Sequence, residues 1–197
     1  DLSLSYKVAE KFFVPYAGLT GQLQRNNLNT FYKENPFINP NLELLATKEQ
    51  LHAFLGIRGN ASNRTSYNLK GDYSILKSMP FFVSNELNST STEGYQVLYD
   101  NAKRLKVQAE ISYHLAQQWK IITKLSYQDV KTDSLEFAYN VAPFTANAIL
   151  IYNLKNKLIF NADIMFVGKR NDRGMITGTP TTNGSIDYTF ENPTLKA

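Results

Sequence analysis

The chain has 197 residues, 13% of them aromatic, a formal net charge of +4 and no cysteine. That length allows one domain with a sizeable core, the aromatic content excludes a disordered chain, and the lack of cysteine excludes a disulfide scaffold or a thiolate metal site. No apolar run approaches the roughly 18 residues of a membrane helix, and Lys and Arg are scattered without a dense basic run, so no nucleic-acid partner is expected despite a pI near 9.1.

Asp1 to Val8 alternates as Leu2, Leu4, Tyr6 and Val8, which predicts a short strand. Phe13 to Gln24 follows, with Phe13, Pro15, Ala17, Leu19, Gly21 and Leu23 on one face. Residues 26–50 read as a long connection rich in Asn, Pro and aromatics, and connections of that length usually have a job. Phe31, Tyr32 and Phe37 within it are the candidate ligand contacts, as aromatic faces stack on a sugar ring or a similar ligand; folding the loop on itself is the competing use.

Leu51 to Ala61 alternates again, Ser62, Asn63 and Arg64 read as a three-residue turn, and Thr65 to Ile75 continues the same face. This register sets Gly59 beside Tyr67, Leu55 beside Gly71 and Ala53 beside Tyr73, large against small. Residues 77–94 read as a second long connection, and Tyr95, Val97 and Tyr99 lead into the clearest pattern of the chain, Arg104 to Val130. There Leu105, Val107, Ala109, Ile111, Tyr113 and Leu115 share a face, answered after a short turn by Trp119, Ile121, Thr123, Leu125 and Tyr127. Pairing Leu115 with Trp119 also pairs Tyr113 with Ile121, Ala109 with Leu125 and Val107 with Tyr127, and sets Glu110 against Lys124 on the other face. A register slipped by one residue would satisfy neither face. After a third long connection, Lys131 to Ala142, Phe144 to Leu154 and Leu158 to Phe166 form a further hairpin around Lys155 to Lys157. A fourth connection, Gly168 to Asn183, precedes a last strand, Ser185 to Phe190.

Short turns alternating with long loops are the habit of outer-membrane barrels. The strands run to about 11 residues, where a soluble strand runs to roughly 5 or 6 and a tilted membrane strand to roughly 9 to 11. The apolar faces of the strands beginning at Phe13, Leu51, Thr65, Leu105, Trp119, Phe144 and Leu158 carry no Asp, Glu, Lys or Arg, although 19% of the chain is charged. The opposite faces carry Arg58, Lys70, Asp72, Lys106, Glu110, Lys120, Lys124 and Asp163. A Lys or Arg turned to lipid costs roughly 2 to 4 kcal/mol at mid-membrane, which explains the segregation. Tyr113, Trp119, Tyr152 and Phe160 are expected to form an aromatic girdle near the short turns. The fold class expected is all-β, an antiparallel transmembrane β-barrel, with residues 1–197 a single barrel segment of about nine strands. Nine is odd and leaves an open edge in lipid, so a part of a larger barrel is expected. Asp1 is no initiator and no leader pattern is visible, which predicts a mature chain or a fragment.

At FVPYAGLTGQLQRNNLNTFYKENPFINPNLELLATKEQLHAFLGIRGNASNRTSYNLKGDYS, and again at FTANAILIYNLKNKLIFNADIMFVGKR, the chain resembles the C-terminal barrel region of TonB-dependent outer-membrane receptors of the Bacteroidetes type. The resemblance implies import of a scarce ligand through a barrel of roughly 22 strands with a plugged lumen. It also implies outer-membrane lipid, a plug domain and an energy-coupling protein as partners. The chain shows no plug or energy-coupling box and none of the closing strands with their terminal aromatic residue. A barrel without a transport role, acting as a structural or assembly partner of other outer-membrane proteins, is the alternative; a soluble carbohydrate-binding sandwich is a third.

Catalysis is not expected. The sequence holds no Gly-rich phosphate loop, nucleophile elbow or zinc-protease motif. His52 and His114 each sit on a polar strand face without a second ligand at metal spacing, so neither a metal nor a cofactor is expected. Glu110 faces a cation, not a second acid, which argues for a lumen ion pair. The N-x-Ser/Thr triplets at Asn60, Asn63, Asn88 and Asn183 fit turn chemistry better than glycosylation.

Overall fold

The computed structural model describes the backbone of residues 2–5, 12–84, 95–154, 158–171 and 181–189, and the side chains of the same residues except 2–5 and 181–189. Nine antiparallel strands form one sheet in chain order: β1 (Leu2–Ser5), β2 (Val14–Gln24), β3 (Thr47–Ser62), β4 (Thr65–Val83), β5 (Gln96–His114), β6 (Trp119–Thr132), β7 (Phe144–Leu154), β8 (Leu158–Val167) and β9 (Thr181–Thr189). Among the described residues each strand pairs only with its sequence neighbours, so the sheet is an open wall with β1 and β9 at its edges. This is the up-and-down connectivity of a transmembrane barrel, seen here as a part of one.

The predicted registers hold. Gly59 pairs with Tyr67, Leu55 with Gly71 and Ala53 with Tyr73. Tyr113 pairs with Ile121, Ala109 with Leu125, Val107 with Tyr127 and Glu110 with Lys124. Two turns differ from expectation in detail. The first has only Asn63 and Arg64 between paired Ser62 and Thr65, the extra residue being taken up as a bulge between Asn60 and Ser62. In the second, the β5–β6 ladder ends at His114 and Lys120, and Trp119 donates its N–H to the Ala116 carbonyl, leaving Leu115 outside the ladder. The turn at 155–157 lies outside the described residues, but Leu154 pairs with Leu158 across it.

β4 and β5 are longer than expected, 19 residues each, and β3 begins at Thr47. Both extensions are hidden in the sequence by bulges. Between Thr20–His52 and Gln22–Glu49, β3 advances one residue more than β2, so the alternation reverses at Gln50. Between Leu76–Ala102 and Met79–Asp100, β4 carries an extra residue, and Ser78 there has φ 54°, in the left-handed region. The Thr47 hydroxyl donates to the Ser78 carbonyl at 2.9 Å, tying the two irregularities together.

The connection after β2 contains a helix missed in the sequence, α1 (Leu28–Glu34), capped by the Asn27 side chain accepting from the Thr30 N–H at 2.9 Å. Asn26 ties this loop down with donations to the Leu45 carbonyl and the Thr47 hydroxyl, and the Tyr99 hydroxyl bridges the Leu45 N–H and the Glu43 carbonyl. Phe31, Ile38, Phe81 and Val83 are the best-enclosed large side chains at this end. The Asp100 carboxylate beside them accepts from the N–H groups of Asn101, Ser134 and Leu135, pinning the connection after β6. Burial pushes the Asp100 carboxyl up, and those N–H groups more than reverse it, holding it below the usual carboxylate range.

The two faces of the wall differ as the alternation predicts. The outer face exposes its large apolar residues, Leu55 at 70%, Ile111 at 50% and Leu125 at 42%. Aromatic residues of β6 to β8 on this face fall in two belts. Trp119 packs tilted against Tyr152 at 4.3 Å and Tyr152 stacks on Phe160 at 6.2 Å at the short-turn end; Tyr127 pairs with Phe144, which meets Phe166 at 6.0 Å, toward the long-loop end. Trp119 to Tyr127 is about 27 Å of strand, or about 21 Å of height at a tilt of about 40°, close to the roughly 25 Å apolar band of membrane barrels. Strands of 19 residues therefore stand clear of the lipid on the long-loop side.

Candidate lumen-wall site

The inner face of β2 to β5 concentrates the charge. Successive cross-strand rows read Gln22–Glu49–Leu76, Thr20–His52–Ser74–Arg104, Gly18–Phe54–Asp72–Lys106 and Tyr16–Gly56–Lys70–Gln108. The bulge at Gln50 is what turns Glu49 inward, where it accepts from Gln22 Nε2 at 3.0 Å and meets Arg104 at 3.4 Å. Arg104 also donates to the hydroxyl of Ser74, which is fully buried, at 3.4 Å.

One row further toward the short turns, Asp72 is 5% exposed and lies 3.6 Å from His52 Nε2 and 3.9 Å from Lys70 Nζ. The other His52 nitrogen is 3.4 Å from the Thr20 hydroxyl. Below this group the wall is paved by aromatic rings. Phe54 lies 5.6 Å from the His52 ring and 6.2 Å from Tyr16, with Lys70 5.0 Å above Phe54 and Arg58 5.5 Å above Tyr16. Tyr16 lies flat only because residue 56 is glycine: a Cβ there would stand 2.4 Å from the Tyr16 ring. Its hydroxyl donates to Asn68 at 2.7 Å. The result is a cation-and-ring surface crossed by a buried carboxylate, suited to holding polar or anionic groups inside a lumen.

His52 Nε2, Asp72 Oδ2 and Arg104 Nε are buried without a hydrogen-bond partner among the described residues, the His52–Asp72 and Lys70–Asp72 contacts being longer than a hydrogen bond. Such atoms call for a polar neighbour on the open side. The expected Glu110–Lys124 pair forms at 3.6 Å with both ends half exposed. His114 pairs across the ladder with Lys120 near the short turn, far from His52. Among the described residues no group of three or more His, Asp or Glu is placed to hold a metal ion.

The sequence-derived ligand candidates are not one cluster. Phe31 is 2% exposed and edge-on to Phe82 at 5.5 Å, so it serves the loop's own packing, whereas Tyr32 and Phe37 are open. The inner-wall group of His52, Asp72, Glu49, Arg104 and the rings of Tyr16 and Phe54 was not singled out from sequence. Glu49 could not have been, because it lies beyond the bulge.

No protein-family model matches the chain, and no curated protein matches it by sequence. Solved structures do. The copper transporter OprC superposes with a TM-score of 0.58 at 18% identity over 93% of this chain and 29% of its own. The pyoverdine outer membrane receptor FpvA from Pseudomonas aeruginosa superposes with a TM-score of 0.56 at 16% identity over 94% and 27%. The ferric enterobactin receptor PfeA from the same organism does so at 0.54 and 17% identity over 95% and 30%. The fold is a wall of that kind of barrel. The chain spans less than a third of the length of each of these three proteins.

Proposed function

We propose that this chain is part of the barrel of a TonB-dependent-type receptor in the bacterial outer membrane, importing a scarce ligand by energy-coupled transport. The observation that carries the reading is the two-sided wall. Its outer face is apolar between two aromatic belts, and its inner face holds polar atoms buried without a hydrogen-bond partner among the described residues, His52 Nε2, Asp72 Oδ2 and Arg104 Nε. A wall built only as a lipid-embedded scaffold has no need of inward polar atoms left buried and unpaired, which cost free energy unless a further polar surface meets them. A plug domain within the lumen supplies that surface, and Tyr32 and Phe37 on the long-loop side stand where an incoming ligand would first meet rings. The likeness to OprC, FpvA and PfeA supports a metal or a metal complex as the ligand class. No chemistry on the ligand is required of the chain.

The test uses the full-length protein in its own cell. Cells with and without the gene are compared for accumulation of radiolabelled copper, ferric pyoverdine and ferric enterobactin, each with and without a protonophore. Gene-dependent accumulation of one probe, abolished by the protonophore, is expected. Gene-dependent accumulation that survives the protonophore would rule out energy coupling, and equal accumulation of every probe in both strains would rule out this ligand class.

A further inference from the structure

The outer face carries a row of lysines immediately beyond the apolar band on the long-loop side. Lys48 pairs directly with Lys77, and Lys103 with Lys131. Lys77 and Lys103 belong to neighbouring strands that are paired through Ile75–Lys103 and Leu76–Ala102. All four are exposed. Adjacent strands lie about 4.8 Å apart, so four ammonium groups fit within about 15 Å. Like charges directly opposite on a sheet are destabilising, and among the described residues none of the four forms an ion pair. The acids nearest on this face are Asp129 and Asp133, which flank Lys131 and lie diagonal to Lys103 across the ladder; Lys48 and Lys77 face none across their own ladder. At the short-turn end the same face offers Tyr113, Trp119, Tyr152 and Phe160 and no cation among the described residues.

Below these lysines, past Leu51 and Ile75, the wall is hollow. Ala17, Ala53 and Gly71 occupy adjacent strands, rimmed by Leu19, Leu55, Tyr73 and Leu105, and a Cβ added at Gly71 would meet nothing within 4 Å. Cationic heads above a chain-wide apolar furrow match a lipid whose phosphate lies at the interface and whose acyl chain runs down the wall.

We propose that Lys48, Lys77 and Lys103, with the hollow at Ala17, Ala53 and Gly71, form a binding site for a phosphate-bearing lipid of the leaflet on the long-loop side. The lipid phosphate relieves the repulsion between the opposed lysines, and the acyl chain fills the space that Gly71 leaves. The site rests on the outer wall facing lipid, and stands whether or not the barrel transports anything.

The test is native mass spectrometry of the full-length protein released from detergent with added bisphosphorylated hexa-acyl glucosamine disaccharide lipid, phosphatidylglycerol or phosphatidylcholine. Heat-modifiable gel migration confirms folding of each variant. Wild-type protein is expected to retain the bisphosphorylated lipid far more than phosphatidylcholine. Lys48→Gln/Lys77→Gln/Lys103→Gln is expected to weaken that retention about a hundredfold, as each lysine near a charged interface is worth about fivefold. Gly71→Leu, which leaves every charge in place, is expected to weaken it by filling the hollow. Equal retention of charged and zwitterionic lipid, or a triple variant that retains lipid like wild type, overturns the site. So does full competition by inorganic phosphate with no effect of Gly71→Leu, which would leave an anion site without a lipid. A protein that folds without detergent or lipid would instead overturn the membrane wall itself.

Discussion

At the scale of single residues, the inner wall depends on glycine where a ring must lie against backbone. Gly56 lies beneath Tyr16, and a Cβ there would also come within 2.7 Å of the Leu69 carbonyl, which cannot move without breaking the ladder. Gly56→Ala is therefore expected to cost about 1 to 3 kcal/mol, the usual range for overpacking, in urea unfolding of the full-length protein in lipid vesicles. Gly71→Ala, which meets open space, is the control and is expected to be neutral or mildly stabilising. Asp100 makes a separate, pH-dependent contribution. Its native carboxyl is held below the usual range, so its stabilisation is fully present above the unfolded-state value of about 3.9 and is lost as pH falls through the lower native value. Protection of the Ser134 and Leu135 amides, whose N–H groups it accepts, measured against their intrinsic exchange rates, is expected to hold at pH 5 and to fall only below about pH 3.9. In Asp100→Asn that pH dependence disappears and both amides exchange faster throughout.

At the scale of elements, the bulges decide which side chains face the lumen. Gln50 shifts the phase of β3, bringing Glu49 to Arg104 and turning Lys48 outward. Deleting Gln50 is expected to send Glu49 toward the outer face and to abolish membrane assembly of the full-length protein, measured by heat-modifiable migration; assembly unchanged would refute the phase argument. The bulge of β4 depends on Ser78 at φ 54°. Ser78→Gly is expected to be tolerated, while Ser78→Val costs about 1 to 2 kcal/mol because a β-branched residue resists the left-handed region. The strand extensions beyond both bulges were not legible in the sequence for the same reason. Alternation is the strand signal, and one inserted residue inverts it, so the period of two breaks before Leu51 and after Ile75. Helix α1 was missed because its seven residues make only two turns, so Leu28, Phe31 and Tyr32 give too short a pattern to stand out from a loop; its stability comes from the Asn27 cap and the burial of Phe31.

At the scale of the whole molecule, the wall makes neighbouring residues chemically opposite. Leu125 faces outward and Lys124 inward on the same strand, so Leu125→Lys is expected to cost about 2 to 4 kcal/mol in vesicles, while Lys124→Leu, which loses only a hydrated pair, costs under about 1 kcal/mol. The chain contains no cysteine, so spin labels attached at single introduced cysteines report the same contrast. Labels at 107, 109 and 111 are expected to be relaxed by oxygen dissolved in lipid at the odd positions, and labels at 106, 108 and 110 by an aqueous nickel chelate. The sequence by itself determined the hairpin registers, the two faces and the short-turn belt of Tyr113, Trp119, Tyr152 and Phe160, because a period of two is a local property that each strand displays alone. Only the tertiary structure decided where Glu49 points, how Arg104, His52 and Asp72 meet, and that Lys48, Lys77 and Lys103 share a row. Those relations join residues 20 to 55 positions apart across strands whose phase is set by bulges, and cross-strand neighbourhood leaves no periodic trace in the chain.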